Sequence, residues 1–253
     1  MVSDGAATIL KPGDGRRLAY HHRPGKAPGV LFCGGFTSDM TGTKALALEA
    51  HCRTAGRGYT RFDYTGHGAS SGRFEDGTIG AWAEDALAIV DRVTEGPLVV
   101  VGSSMGGWIM LLVALARPER VAGLIGVAAA PDFTEDLLLA DATPEQRRAL
   151  DGQGYWLQAS AYGEQPYPVT RALIEEGRRH LLLRSELPIR CPVHLLHGQR
   201  DSDVPWQTSL RLAERLAADD VTVELIKAAD HRLSTAPDLR RITAALERLA
   251  TGT

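Results

Sequence analysis

Leu98-Val99-Val100-Val101 is an apolar, mostly β-branched run that stops at Gly102-Ser103-Ser104-Met105-Gly106. An Ala/Leu-rich stretch with helical character follows at once, from Trp108 to Ala116. Strand, sharp turn and helix in immediate succession constrain the chain more than any other feature. The turn forces its central residue into a strained backbone conformation, and small residues on either side let strand and helix approach closely. Gly102 and Gly106 are those residues. The pattern predicts Ser104 at the tip, with Oγ exposed at the carboxyl edge of a sheet.

Other short apolar runs alternate with longer helical patterns. Gly29–Cys33, Gly58–Tyr64, Pro97–Gly102, Val121–Ala129, Pro192–His197 and Val221–Lys227 are predicted strands. Between and after them, Thr43–Ala55, Ile79–Val93, Met105–Ala116, Val204–Ala217 and Pro237–Leu249 are predicted helices. In the second of these helices Trp82, Ala86, Ile89, Val90 and Val93 recur at steps of three and four. The strands are almost continuously hydrophobic, as in a parallel sheet covered on both faces. Alternating β and α elements then predict a doubly wound α/β domain with a mostly parallel sheet. Ala7–Leu10 and Arg17–His21 are expected to pair as an antiparallel edge hairpin. From Pro131 to Pro188 the rhythm breaks: no strong β signal appears, only helical fragments such as Pro144–Leu150 and Thr170–Leu183. An interruption of that length is too long for a simple crossover. The expected organisation is a core of residues 1–130 and 189–253, with a helical lid at 131–188.

The composition narrows the class. With 253 residues the chain is large enough for one sizeable α/β core. A net charge of −3 with dispersed basic residues gives no footprint for nucleic acid or an anionic membrane. No apolar stretch reaches membrane-spanning length. Cys33, Cys52 and Cys191 are odd in number and widely spaced, which argues against a disulfide framework or a zinc site and for a reducing compartment. Met1–Gly5 lacks the basic and apolar segments of a secretory leader, so a cytoplasmic location is expected.

Acyl transfer by a serine needs a hydroxyl, a base to take its proton, an acid to hold the base, and donors for the developing oxyanion. In an α/β-hydrolase the order is Ser, then Asp or Glu, then His. After Ser104, the strand Val193–Leu196 runs into His197-Gly198-Gln199-Arg200-Asp201-Ser202-Asp203, which places Asp201 in the turn where the acid belongs. Asp203 is the second choice, read as a cap for the following helix. Val221–Lys227 ends in Ala228-Ala229-Asp230-His231, making His231 the expected base. The backbone N–H of Met105 and that of Phe36, after Gly34-Gly35, are the expected oxyanion donors. His67 is read as a turn residue, His197 as a hydrogen-bonding residue at a strand end, and Cys33 as a small buried hydrophobe. Trp82 and Trp108 are read as packing. Gly35, Tyr155 and Trp156 are the expected substrate-lining residues.

These stretches, with Thr41–Ala47, Arg61–Tyr64, Ala116–Glu119, Leu124–Ala128, Leu195–Gly198, Val204–Trp206 and Asp230–Arg232, carry a resemblance. The chain resembles an α/β-hydrolase, and more closely the mitochondrial palmitoyl-protein thioesterase family that also cleaves the acyl glucuronide of mycophenolic acid. The segment Pro131–Pro188 matches least. The resemblance implies a serine esterase or thioesterase acting through Ser104, Asp201 and His231, without metal or organic cofactor. Its substrate would be a small-molecule ester or thioester, or an acylated protein. Ala, Arg and Gly bias points to a bacterial relative, so the mitochondrial location is not carried over. The nearest alternatives are a cofactor-free perhydrolase or a carbon–carbon bond hydrolase on the same residues. The alternative from another class is a non-catalytic protein of the same fold that binds a ligand or partner. Serine at position 104 argues against chemistry that needs an aspartate nucleophile there.

Overall fold

A computed structural model of the chain describes residues 6–159 and 165–251. The leader reading at Met1–Gly5 and a short part of the proposed lid fall outside the described residues. Ten strands and seven α-helices are defined among the described residues. In chain order they are β1 (Thr8–Leu10), β2 (Leu18–Arg23), β3 (Lys26–Cys33), α1 (Thr43–Ala55), β4 (Arg57–Phe62), α2 (Ile79–Arg92), β5 (Leu98–Ser103), α3 (Met105–Ala116) and β6 (Val121–Val127). They continue with α4 (Pro144–Gln153), β7 (Tyr155–Gln158), β8 (Tyr167–Thr170), α5 (Arg171–Gly177), β9 (Val193–Gly198), α6 (Gln207–Arg215), β10 (Val221–Ile226) and α7 (Ala236–Thr251).

Eight strands form one sheet in the order β1-β2-β4-β3-β5-β6-β9-β10. The β1–β2 and β2–β4 pairings are antiparallel, and every later pairing is parallel. The expected edge hairpin is therefore present, with Ile9 opposite Ala19. Alternation along the central strands explains the layers. Leu98 and Val100 of β5 join a core with residues of α2 and α3, including Trp82, Ile89 and Ile109. Val99 and Val101 face the other way, into a core with Leu48 of α1 and Ile242 and Leu246 of α7. Both faces of the sheet are thus buried, which is why the strand sequences read as continuous apolar runs. Gly56 ends α1 with φ 66°, the left-handed cap expected of a stop glycine.

Between β6 and β9 the expectation of a purely helical insertion is corrected. Thr134–Leu139 forms a π-helical segment, and β7 and β8 pair as an antiparallel ribbon with Trp156 opposite Val169. A two-stranded ribbon has only edges, so Pro168, which has no N–H, is tolerated there. Four-residue strands also give too few alternations for a periodic signal. Thr170 ends β8 and caps α5 by accepting the Leu173 N–H. α6 is shorter than its predicted span, starting at Gln207.

The insertion is fastened to the core. The buried Asp132 carboxylate accepts the N–H groups of Leu182 (2.7 Å) and Leu183 (2.9 Å), closing one end of the segment on the other. Glu176 of α5 accepts the Gly80 N–H in the first turn of α2 (3.0 Å), and Trp108 Nε1 donates to the His180 carbonyl (2.9 Å). Among the described residues, no helix is long and apolar enough to cross a membrane.

Leu124, at the centre of β6, is fully buried in the core layer shared with α2 and α3. Leu124→Ala is expected to cost about 2–5 kcal/mol in chemical denaturation, from lost burial plus the cavity left behind. Leu157→Ala, on the exposed face of β7, is expected to stay within about 0.5 kcal/mol of the parent.

Candidate active site

The turn between β5 and α3 is as tight as the glycines imply. A β-carbon on Gly106 would lie 2.1 Å from the Cys33 carbonyl oxygen, and one on Gly102 would lie 2.3 Å from the Gly106 oxygen. Neither position has room for a side chain. Between them Ser104 adopts φ 55° and ψ −121°, a region that L residues rarely occupy. Its backbone is held from both sides: its N–H donates to Val127 (3.0 Å), and its carbonyl accepts from Gly107 (2.8 Å) and Ala130 (3.0 Å). Oγ is thereby turned out of the sheet edge.

The side chain of His231 meets Ser104, with Nε2 3.0 Å from Oγ. On the other side of the ring, Nδ1 lies 2.7 Å from Asp201 Oδ2. Asp201 stands just past β9, and His231 just past β10, so neighbouring parallel strands deliver both to the carboxyl edge that carries Ser104. Burial alone would raise the Asp201 carboxyl. Hydrogen bonds from the imidazoles of His197 and His231, and from the Val204 N–H, instead hold it well below the usual carboxylate range. It is a fixed negative charge. A hydroxyl bonded to an imidazole that is oriented by a buried carboxylate can pass its proton to the ring and act as a nucleophile.

Gly35, Phe36, Ser104, Met105 and His231 all line a cavity of about 890 Å³. A β-carbon on Gly35 would lie 3.5 Å from Ser104 Cβ, so the loop after β3 passes directly beside the serine. Met105 opens α3 and has no intrahelical acceptor for its N–H. Neither that N–H nor the N–H of Phe36 finds an acceptor among the described residues. The Phe36 ring is edge-packed by Trp82, Phe133 and Tyr167, with centroids 5.3–5.7 Å apart, which fixes the loop that carries its N–H.

Tyr155 and Trp156 are not among the cavity-lining residues. Tyr155 is exposed, and Trp156 is buried with Nε1 3.1 Å from its own neighbour Gln158. The insertion reaches the cavity instead through Phe133, Leu137, Leu138 and Tyr167, and through the polar residues Asp141, Gln146, Gln158 and Gln165. The run Leu137-Leu138-Leu139 was a readable signal: it is too short for a core strand and sits in the segment inserted beyond a strand's carboxyl end. Asp203 does not cap α6, which starts behind Trp206 without a side-chain cap. His67 is buried against Tyr64, Phe74 and Trp82, and burial lowers its pKa, in keeping with a packing role. Burial pushes the Cys33 thiol up to about 12, so it is no thiolate near neutrality.

Asp201, Asp203 and His231 bring possible metal-ligand atoms within 4.8 Å of one another. The donor set does not suit an ion. Asp201 Oδ1 already accepts the N–H groups of Asp203 and Val204, and Oδ2 accepts both imidazoles.

A family model described as "Alpha/beta hydrolase family" matches residues 30–241. The chain belongs to that family. It is 42% identical over 243 residues to the palmitoyl-protein thioesterase ABHD10, mitochondrial, of Homo sapiens, covering 96% of this chain and 79% of that protein. Among solved structures, a putative hydrolase from Agrobacterium vitis S4 superimposes with a TM-score of 0.92 at 41% identity, over 97% of each chain. The mouse alpha/beta hydrolase domain-containing protein 10 superimposes with a TM-score of 0.89 at 40% identity, over 96% of this chain and 98% of that one.

The strain at position 104 has a measurable consequence. Two variants without the hydroxyl, Ser104→Ala and Ser104→Gly, differ in their tolerance of φ 55°. The glycine variant is expected to melt higher than the alanine variant, by the few degrees that about 1 kcal/mol gives a chain of this size. A glycine variant that melts below the alanine variant, by the amount that about 0.5–1 kcal/mol of added unfolded-state freedom costs, would show that the turn stores no strain.

Proposed function

We propose that the protein is a serine hydrolase that cleaves carboxylic esters or acyl thioesters through an acyl-enzyme on Ser104. The observation that carries this reading is the continuous hydrogen-bonded chain Ser104–His231–Asp201 at the wall of a cavity. In this mechanism His231 Nε2 accepts the Ser104 proton as Oγ attacks the acyl carbon. Asp201 keeps the ring in the tautomer with hydrogen on Nδ1 and stabilises its protonated form. The N–H groups of Phe36 and Met105 receive the oxyanion; removing one such donor typically costs about 3–4 kcal/mol. The intermediate collapses and the alcohol or thiol leaves with the proton from His231. Water, deprotonated by the same ring, then attacks the acyl-enzyme and releases the acid.

Phe133, Leu137 and Leu138 give the cavity an apolar wall, and its volume lies within the range usual for small-molecule sites. The human relative is named for palmitoyl-protein thioester cleavage, which favours long acyl groups as substrate, on a small molecule or on a protein. Acyl glucuronides are the second class to assay. Residues 131–188 are proposed as the lid that selects among them. The three cysteines are unpaired, and the cytoplasm is the proposed location.

Ser104→Ala is expected to lower turnover of p-nitrophenyl esters by on the order of 10⁴-fold or more while leaving the protein folded. A fluorophosphonate probe is expected to label the parent at Ser104 and to leave the variant unlabelled in intact-mass and peptide measurements. Retained turnover in Ser104→Ala, or a parent that resists the probe, would sink the proposal and favour a binding protein.

A further inference from the structure

Asp201 holds two imidazoles. His197, in β9, is fully buried. Its Nε2 lies 3.0 Å from Asp201 Oδ2 and 3.0 Å from the Val204 carbonyl oxygen, while Nδ1 lies 2.7 Å from Ser209 Oγ on α6. A carboxylate and a carbonyl can only accept, so Nε2 carries a hydrogen. Nδ1 then accepts the hydroxyl hydrogen of Ser209, and the single Nε2 hydrogen is shared between the Asp201 carboxylate and the Val204 carbonyl in a three-centre bond.

Oδ2 of Asp201 consequently accepts one N–H from His197 and one from His231, the latter at 2.7 Å. Oδ1 accepts the N–H groups of Asp203 (2.9 Å) and Val204 (2.8 Å). The backbone bonds fix one oxygen. The carboxylate still needs a partner that holds the other oxygen towards His231, and His197 is placed to do that from the opposite side.

We propose that His197 is a positioning residue. It pins the Asp201 carboxylate in the rotamer that faces His231 and draws charge from the oxygen the two rings share. It thereby sets how strongly Asp201 holds a proton on His231. This rests on the reading of Ser104, His231 and Asp201 as the reacting groups. Hydrogen bonds to a carboxylate disperse its charge, so each added donor weakens its pull on the others. The ionisable groups around the pair include Asp203, in the same cluster, Asp230 and Arg232, which flank His231 in the chain, and Lys44 of α1, which lines the cavity with His231 and donates to the Arg232 carbonyl; all are common to every variant below.

The test is an NMR titration of the His231 ring in the parent and in His197→Leu, His197→Gln and Ser209→Ala. Without the His197 N–H, the shared oxygen turns its charge on His231, which favours the protonated ring. The midpoint in His197→Leu is therefore expected to rise by roughly half a unit to one unit. His197→Gln keeps an N–H near the Nε2 position and is expected to stay near the parent. Ser209→Ala leaves Asp201 and both rings intact but frees His197 Nδ1, and is expected to move the midpoint up by a smaller amount. Should His197→Leu fail to fold, Ser209→Ala decides. Parental midpoints in every folded variant would overturn the proposal, since a purely structural role for His197 leaves the titration where it was. In kinetics, the acid limb of kcat/KM is expected to follow the titration, with kcat down roughly tenfold and KM little changed. A parent inert to acyl substrates and fluorophosphonate would refute the hydrolase reading, while the titration would still answer for His197.

Discussion

The close approach of backbone to backbone at the carboxyl edge of the sheet is the constraint on which the site depends. Gly106 packs against the carbonyls of Cys33 and Gly34, and Gly102 against the carbonyl of Gly106. Strand β5 can therefore turn into α3 within a single residue, and the end of β3 passes over that turn. Three consequences follow from this one contact. Ser104 is driven into positive φ, the start of α3 lies beside it with the Met105 N–H unpaired among the described residues, and the loop at Gly35 passes directly beside the serine. A side chain at Gly102 or Gly106 would push these groups apart together, because they share the same wedge of backbone.

The other half of the site is built on different physics. Nothing steric brings Asp201 and His231 to Ser104. Parallel pairing does, since β9 and β10 end at the same edge as β5 and each is followed at once by a turn. What those turns need is polar satisfaction. Asp201 is buried and charged, which is costly unless all its oxygen lone pairs are used. Two backbone N–H groups and two imidazoles use them. The same bonds that make the burial tolerable also aim the carboxylate, so stability and orientation come from one set of contacts.

That division explains what could be read in advance. The doubly wound sheet was legible because the central strands bury both faces and so read as continuous apolar runs between longer helical stretches; Val99 and Val101 facing one core, and Val100 the other, is the reason. Ser104, Asp201 and His231 were legible because each sits where a strand signal ends. The ribbon β7–β8 was not, since four residues and a proline carry no period. Nor was the partnership of His197 with Asp201. An i, i+4 pair across a turn has no periodic signature, and only the path of the loop shows that the ring reaches back. Tyr155 and Trp156 were misleading for a related reason. Alternation in a strand of unknown register leaves open which side chains point inwards, and here one faces solvent and the other the core.

The insertion is held to the core at several points, and these contacts bear on the selection role proposed for it. Asp132 ties its two ends together, and Glu176 and Trp108 tie its last helical part to α2 and α3. Phe133, next to the Asp132 anchor, packs on both Phe36 and Trp108, with ring centroids at 5.5 Å and 5.8 Å. The apolar wall is thus coupled to the loop whose N–H is proposed to receive the oxyanion. A bulky acyl group that displaced Phe133 would disturb Phe36 as well. Selection in such a site would act on the rate of acyl transfer, not only on binding, because the groups that contact the chain also support the donor beside the reacting carbonyl.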